Sequence, residues 1–392
     1  YDGHDAITRI TPEVPFPEAE GRNIREYYAA PWPLSEKYFL VAYSPTPLVW
    51  EPGANARNAL GIYTLDTFGN RELLYRDPAI GSTNPCPLVP RPAPPVLPSM
   101  LPAEAPATGE MVLADVYEGL GDVPPGSIKR LRVIQILPKT TVVANVPPIG
   151  LAAEENARAV LGSVPVEPDG SAYFTVPAGR PILFQALDEQ GRAYQTMRSV
   201  TYVQPGERAA CVGCHENRMT APTAAMVSAL RRGPSKIEPG RWGGRPFSFV
   251  EVVQPVLDKH CVRCHGGEKV EGKIDLTATP DRGFTKSYWS LCGGTNFWGA
   301  GTNKANAAKA LVPRFGARNQ VQITPPGGVY GARGSRLLKL LGEGHEDVKL
   351  ADEDLARLAL WIDCNAIFYG VNDAESQARQ LRGEAVPMPE IQ

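Results

Sequence analysis

Six residues fall into two pentads of one pattern, Cys211-Val-Gly-Cys214-His215 and Cys261-Val-Arg-Cys264-His265. C-x-x-C-H is the attachment signature of c-type haem. The two thiols add across the vinyl groups of a porphyrin, and the two intervening residues set their separation. The imidazole that follows lies under the iron as an axial ligand. The chain has 7 Cys and 5 His. At those frequencies one such pentad arises by chance roughly 0.002 times. The competing reading is zinc held by four thiolates, which shares the paired C-x-x-C. The pairs are 50 residues apart, whereas zinc modules space them by about 15–20, and zinc leaves both histidines unused. A thioredoxin-like redox motif explains neither the duplication nor the histidines. The residues therefore point to two covalently attached c-type haems, with zinc as the alternative cofactor.

His215 and His265 each hold one iron. The sixth positions fall to the remaining histidines or to a methionine. For the second haem the expected ligand is His345, in Gly342-Glu-Gly-His345-Glu-Asp-Val, because it sits in the loop before the last helix. His260 directly precedes Cys261 and reads either as a ligand to a neighbouring haem or as a solvated helix end. His4 reads as a free side chain or as a ligand in its own or an adjacent subunit. Met219 and Met226 follow the first motif and read as thioether ligands or as packing. Bis-His iron has a lower potential than His/Met iron. Cys292 and Cys364 are candidates for a disulfide, which leaves Cys86 odd.

The elements that must position these residues change along the chain. Residues 1–30 are polar, with scattered prolines and no clear periodicity. Lys37–Tyr43 reads as a strand, and Gly61–Tyr75 as a hairpin turning at Gly69-Asn70. Proline is dense from Asn84 to Pro106, which predicts an extended linker or strap. Strand-like runs follow at 111–117, 128–137, 164–166, 172–176, 181–187 and 194–202, separated by turn residues. The first haem motif comes after the last of them, on a loop. Residues 247–259 carry a helical pattern interrupted by Pro255 and leading into Cys261. Residues 266–330 are Gly-rich, and Gly328–Gly334 reads as a loop rather than a phosphate cradle. Ser335 is expected to cap a helix over 336–341. Asp352–Ile362 reads as a final helix with three acids in its first turn. A helix before the motif and one at the end outline a class I cytochrome c.

The fold class expected is α+β: a β-rich N-terminal part with an antiparallel β-sandwich-like domain, then a helical cytochrome-c-like domain. Three segments are expected, 1–110 as hairpin and strap, 111–240 as the sandwich, and 241–392 around the second haem. Forty Lys and Arg against 42 Asp and Glu give a net charge of −2, which argues against a nucleic-acid partner. No apolar run approaches the roughly 18 residues of a transmembrane segment. Gly and Pro make up 77 of the 392 residues, so the chain is loop-rich rather than a helical bundle. Covalent haem attachment takes place outside the cytoplasm. The chain is therefore expected to be periplasmic or extracellular, secreted, with its signal peptide already removed.

Several strings resemble the hydrazine synthase alpha-subunit family. They are Leu34-Ser-Glu-Lys-Tyr-Phe-Leu-Val, Gly69–Asp77, Pro177-Ala-Gly-Arg-Pro, Cys211–Glu216, Gln254–Gly266 and Leu358-Ala-Leu-Trp-Ile-Asp363. The resemblance covers about residues 34–370 and the family's middle and C-terminal haem domains. It implies that residues 34–76 correspond to the last blade of a propeller, most of which is absent. It also implies a bis-His second haem at His265 and His345. At the family's first haem the motif histidine turns to a zinc and a tyrosine four residues later takes the iron. The matching positions here are His215 and Met219, so that tyrosine is missing.

Three functions follow as expectations. The first is an extracytoplasmic di-haem c-type cytochrome transferring electrons to a redox partner protein. The second is a haem enzyme, hydrazine-synthase-like, acting on a small nitrogen, sulfur or oxygen compound at an open first haem. The third is a subunit of a larger electron-transfer assembly or filament built partly by self-association. No H-E-x-x-H, P-loop or G-x-S-x-G is present to support other chemistry.

Overall fold

The computed structural model describes residues 8–15, 24–48, 55–98, 101, 104–141, 146–152, 155–197, 199–214, 227–240, 243–267, 270–293, 310–314 and 330–389. The chain divides into two units, Tyr1–Pro98 and Ser99–Gln392.

The first unit is an antiparallel meander of β1 (Tyr27–Pro33), β2 (Tyr38–Ser44), β3 (Gly61–Asp66) and β4 (Arg71–Tyr75). The β3–β4 turn forms where expected. Asp66 Oδ1 accepts from the N–H groups of Phe68 and Asn70, both at 2.9 Å. Gly69 takes φ +87° there, a region open to glycine. Strand β1 was not legible in the sequence. Pro31 and Pro33 interrupt its alternation, and its register shifts between Ala29 and Trp32. Residues 85–98 form no helix or strand, and Arg91 lies 4.6 Å over the Trp32 ring, tying this strap to β1.

The second unit opens with two sheets. Strands β5 (Thr108–Leu113), β6 (Arg130–Ile136), β7 (Arg158–Pro165), β8 (Ala172–Pro177), β9 (Ile182–Leu187), β10 (Ala193–Thr196) and β11 (Arg208–Cys211) order as β10-β9-β6-β7 and β11-β5-β8. Strand alternation makes the core between them. Met111 and Leu113 of β5 pack with Leu131, Phe174, Val176 and Ala186, while Val112 packs with Tyr173 and Ala229 on the other face. The pairings are antiparallel except β11 with β5, which is parallel. That strand ends at Cys211 itself, so the first motif starts on a strand rather than on the expected loop.

The helical part follows as α1 (Phe249–Val252), α2 (Gln254–His260), α3 (Lys286–Cys292), α4 (Gly331–Gly334), α5 (Arg336–Glu343), α6 (Asp352–Asp363) and α7 (Ala374–Leu381). The pattern over 247–259 is broken at Val253, and Pro255 sits in the first turn of α2, where its missing N–H costs no helical bond. Arg357 of α6 donates to the carbonyls of Val252 (2.8 Å) and Glu251 (2.9 Å) and so closes the end of α1. Phe249 is fully buried among Trp361, Phe368 and Tyr288, with ring centroids 5.0, 5.1 and 5.4 Å away. Ser335 precedes α5, but its hydroxyl bonds Leu311 O (3.1 Å) instead of capping. The loop expected at Gly328–Gly334 holds the short α4 over its described part, and Ala332 N donates to Asp363 Oδ1 at 2.7 Å. Helix α7 was not anticipated; Asp373 caps it by accepting from Ser376 N. Among the described residues no helix is long and apolar enough to cross a membrane.

Candidate functional site

The second motif continues directly from α2. Cys261 N bonds Leu257 O (2.8 Å), and the N–H groups of Cys264 and His265 both turn back to Cys261 O (3.1 and 2.9 Å). This compact turn leaves no room for a side chain at Gly266, where a Cβ would lie 2.8 Å from Val262 Cγ1 and 2.9 Å from Val262 O. His265 Nδ1 lies 3.1 Å from Glu271 O. A carbonyl only accepts, so Nδ1 carries the proton and Nε2 keeps its lone pair for a metal.

Opposite stands His345. Its ring centroid is 6.0 Å from that of His265, with the planes 18° apart. Imidazoles at this separation would hold one metal ion between them with both Nε2 atoms turned inward. The turn Gly344–Asp347 positions His345: Gly344, Glu346 and Asp347 all have positive φ, and Val348 N bonds His345 O at 2.8 Å. Beside it opens a cavity of about 890 Å³. Leu338 and Leu341 of α5, Leu350, and Leu355 and Ala359 of α6 line it together with the charged Arg192, Glu343, Glu346, Asp347 and Lys349.

The first motif opens on a second cavity, about 570 Å³, between the two sheets of the sandwich. Cys211, Gly213 and Cys214 line one side; Phe184, Ala186, Gln195 and Met197 line the other. Gly213 packs so closely on Glu118 that a Cβ would lie 2.5 Å from Glu118 Cβ and 2.6 Å from Glu118 O. Burial pushes the Cys214 thiol up to about 12, with Cys211 and Asp115 adding to the effect. Burial, then Cys264, pushes Cys261 up to about 11. The Cys211 and Cys214 thiols at the edge of this apolar cavity are placed for thioether bonds to a porphyrin edge.

The two C-x-x-C pairs pack against different cores, Cys211 and Cys214 with the sandwich and Cys261 with the helical part. Four thiolates therefore do not meet at one zinc ion, and the described residues contain no cluster of three or more His, Cys, Asp or Glu suited to a metal. None of the seven cysteines is in a disulfide. Cys292 and Cys364, candidates for a disulfide, are both buried thiols. Cys292 lies beside Arg314 and Tyr288, Cys364 beside Arg158 and Arg132.

Of the other candidate ligands, His260 Nε2 is 2.9 Å from Asp354 Oδ2, which also takes Lys259 Nζ at 3.0 Å. This clamp joins α2 to the first turn of α6 and holds the Asp354 carboxyl below its usual range, against the opposing effect of burial. His4, His215, Met219 and Met226 lie outside the described residues.

Residues that the sequence reading passed over tie the two cavities together. The β9–β10 hairpin lines the sandwich cavity with Phe184, Ala186, Gln195 and Met197. Its turn lines the other cavity with Gln190 and Arg192. A buried ionic network anchors this hairpin to the helical part. Asp363 Oδ2 accepts from Ala193 N (2.8 Å) and lies 3.9 Å from Arg132. Asp188 bonds Arg192 (2.9 Å) and Arg333 (2.8 Å). Burial pushes the Asp363 carboxyl up to about 6, opposed by Arg132 and by the Ala332 and Ala193 N–H groups. The one signal in the sequence was the i, i+2 spacing of Gln195 and Met197 on a strand.

A β-rich fold with an apolar cavity at Cys211 and Cys214, a second cavity beside His345, and glycines where each motif packs tightest fits a haem-related protein. Residues 126–216 match the family model described as hydrazine synthase alpha subunit middle domain, a span that includes the first motif. The fold is similar to a chain of Kuenenia stuttgartiensis Hydrazine Synthase, with a TM-score of 0.53 and 18% identity. The match covers 88% of this chain and 55% of that one, so the chain spans about half the length of the solved relative. No curated protein matches. The family model thus matches 91 of the 392 residues, and the solved structure shows a likeness of fold.

Proposed function

We propose that this chain is an extracytoplasmic di-haem c-type cytochrome that transfers electrons. Cys211 and Cys214 bind one haem, with His215 as its proximal ligand. Cys261 and Cys264 bind the other, held between His265 and His345. What the haems supply when bound is one-electron exchange at iron; the chain's residues set where and at what potential. The observation that carries this reading is the facing pair of imidazoles, 6.0 Å between centroids, with His265 Nδ1 on a backbone carbonyl. With His265 and His345 both on the iron, that site would have no open position for substrate and would pass electrons on. Periplasmic or extracellular placement follows from where such attachment takes place.

The test is direct. Intact mass should exceed the polypeptide by two haems, and His345→Ala should convert half of the low-spin signal to high-spin. A chain without covalent haem, or an unchanged spectrum in His345→Ala, defeats the reading. A second reading, a haem enzyme acting on a small nitrogen, sulfur or oxygen compound, draws support from the middle-domain match and the cavity at Cys211 and Cys214. Carbon monoxide binding by the reduced, unmodified protein favours it. A role as subunit of a larger assembly is compatible with either.

A further inference from the structure

We propose that reduction of the second haem is coupled to proton uptake at Asp363; the inference rests on haem held between His265 and His345. Asp363 closes α6, and two short routes lead from it to the cavity beside His345. Ala359, one turn earlier on the same helix, lines that cavity, and so does Arg192. Ala193, next to Arg192, donates its N–H to Asp363 Oδ2 at 2.8 Å. The carboxylate therefore stands directly behind the cavity wall, with its side chain 1% exposed.

Its surroundings leave it short of positive charge. Oδ1 accepts from Ala332 N at 2.7 Å, and Oδ2 from Ala193 N. The guanidinium of Arg132 on β6 lies 3.9 Å away and gives its own hydrogen bonds to Gln185 Oε1 (2.7 Å) and Gly191 O (2.9 Å). Asp188, just after β9, adds a second negative charge, which Arg192 (2.9 Å) and Arg333 of α4 (2.8 Å) engage. Arg333 also lies 3.8 Å over the Tyr194 ring of β10. The Cys364 thiol follows in the chain and faces Arg158 of β7 and Glu155. Burial pushes the Asp363 carboxyl up to about 6, opposed by Arg132 and the two N–H groups and reinforced by Asp188.

A buried charge is weakly screened, so an electron arriving on the other side of the cavity wall raises the affinity of this carboxylate for a proton. One electron from the redox partner takes ferric iron to ferrous, one proton from solvent binds an Asp363 oxygen, and the charge of the buried region is unchanged. Each carboxylate oxygen has a second lone pair, so the proton adds without displacing either N–H group. By linkage, the potential of that site depends on pH.

The experiment is a spectroelectrochemical titration of the holoprotein that follows the bis-His haem over about pH 4–8. Its midpoint potential should be level at low pH, fall as pH rises past about 6, and level off again. Asp363→Asn should abolish the fall, and His260→Gln should keep it. Reduced-minus-oxidised infrared spectra near neutral pH should show a protonated carboxyl appearing on reduction. Wild-type protein isotopically labelled at the aspartate carboxyl carbon should shift that band. The shift separates Asp from the haem propionates and serves where Asp363→Asn does not fold. A potential that ignores pH, an equal fall in Asp363→Asn, loss of the fall in His260→Gln, or a carboxyl band that is absent or unmoved by the label overturns the coupling. A chain without haem at Cys261 and Cys264, or without a bis-His spectrum, instead overturns the proposed function itself.

Discussion

Replacing Gly213 by Ala tests whether the first motif is held as tightly as its packing requires. An added Cβ would meet Glu118 Cβ at 2.5 Å, Glu118 O at 2.6 Å and Glu118 Cγ at 2.9 Å. Carbon atoms pack best at about 3.5–4.0 Å, so the chain must open by about 1 Å. Two of the three atoms cannot swing away, being a backbone oxygen and a Cβ. Over-packing of this kind costs about 1–3 kcal/mol. Since 1 kcal/mol moves the midpoint of a domain of 150–250 residues by about 2–4 °C, Tm should fall by roughly 2–12 °C. The strain falls on the first pair alone, so haem content should drop from two per chain toward one, with the second site's spectrum unchanged. Thermal unfolding and haem content by mass provide the two readouts. Gly342→Ala is the internal control, because that glycine lies in α5 and its Cβ would meet nothing within 4 Å. It should stabilise by about 0.5–1 kcal/mol. A Gly213→Ala protein with full haem and an unshifted Tm refutes the claim that the close approach to Glu118 positions Cys211 and Cys214.

Other outcomes follow from the same structure. Gly266→Ala should spare the first site and deplete the second, seen as loss of the bis-His spectrum, because its Cβ would strike Val262 O at 2.9 Å. Arg357→Met removes two charge-assisted bonds to backbone carbonyls and should cost about 1.5–3 kcal/mol by urea unfolding. Asp363 has its folded pKa raised to about 6, so between about pH 4 and 6 the folded state holds a proton that the unfolded state has lost. Stability from this group is present below pH 4 and declines by about 3 kcal/mol up to pH 6, then levels off. Urea midpoints should show that decline in the wild type and a flatter profile in Asp363→Asn, despite the variant's lower overall stability. A matching slope in both proteins removes Asp363 as the cause.

The two pentads were legible because they are local, and the ordering of His345 before α6 is likewise a property of sequence alone. The same holds for the hairpin at Gly69, the β-sandwich outline and the acid-rich start of α6. What escaped was set by tertiary context. Strand β1 hides its alternation behind two prolines, and β11 pairs parallel with a strand about 100 residues earlier in the chain. Ser335 has the residue type of a cap, yet Leu311 O competes for its hydroxyl. His260 looked like a candidate ligand until Asp354, 94 residues away, claimed its Nε2. The roles of Gln190, Arg192 and Met197 depend on which cavity each faces, and no local pattern carries that.

The β9–β10 hairpin has a consequence for how the two centres can vary. From Gln190, in the wall of one cavity, to Met197, in the wall of the other, is seven residues, at most about 23 Å of extended strand. One short ribbon is thus shared masonry between two rooms. A substitution that shifts its register, or loosens Asp363 from Ala193, disturbs both chambers in the same event. With haem at both motifs as proposed, their potentials would not be separate variables, and selection on either chamber has to pass through residues that also serve the other.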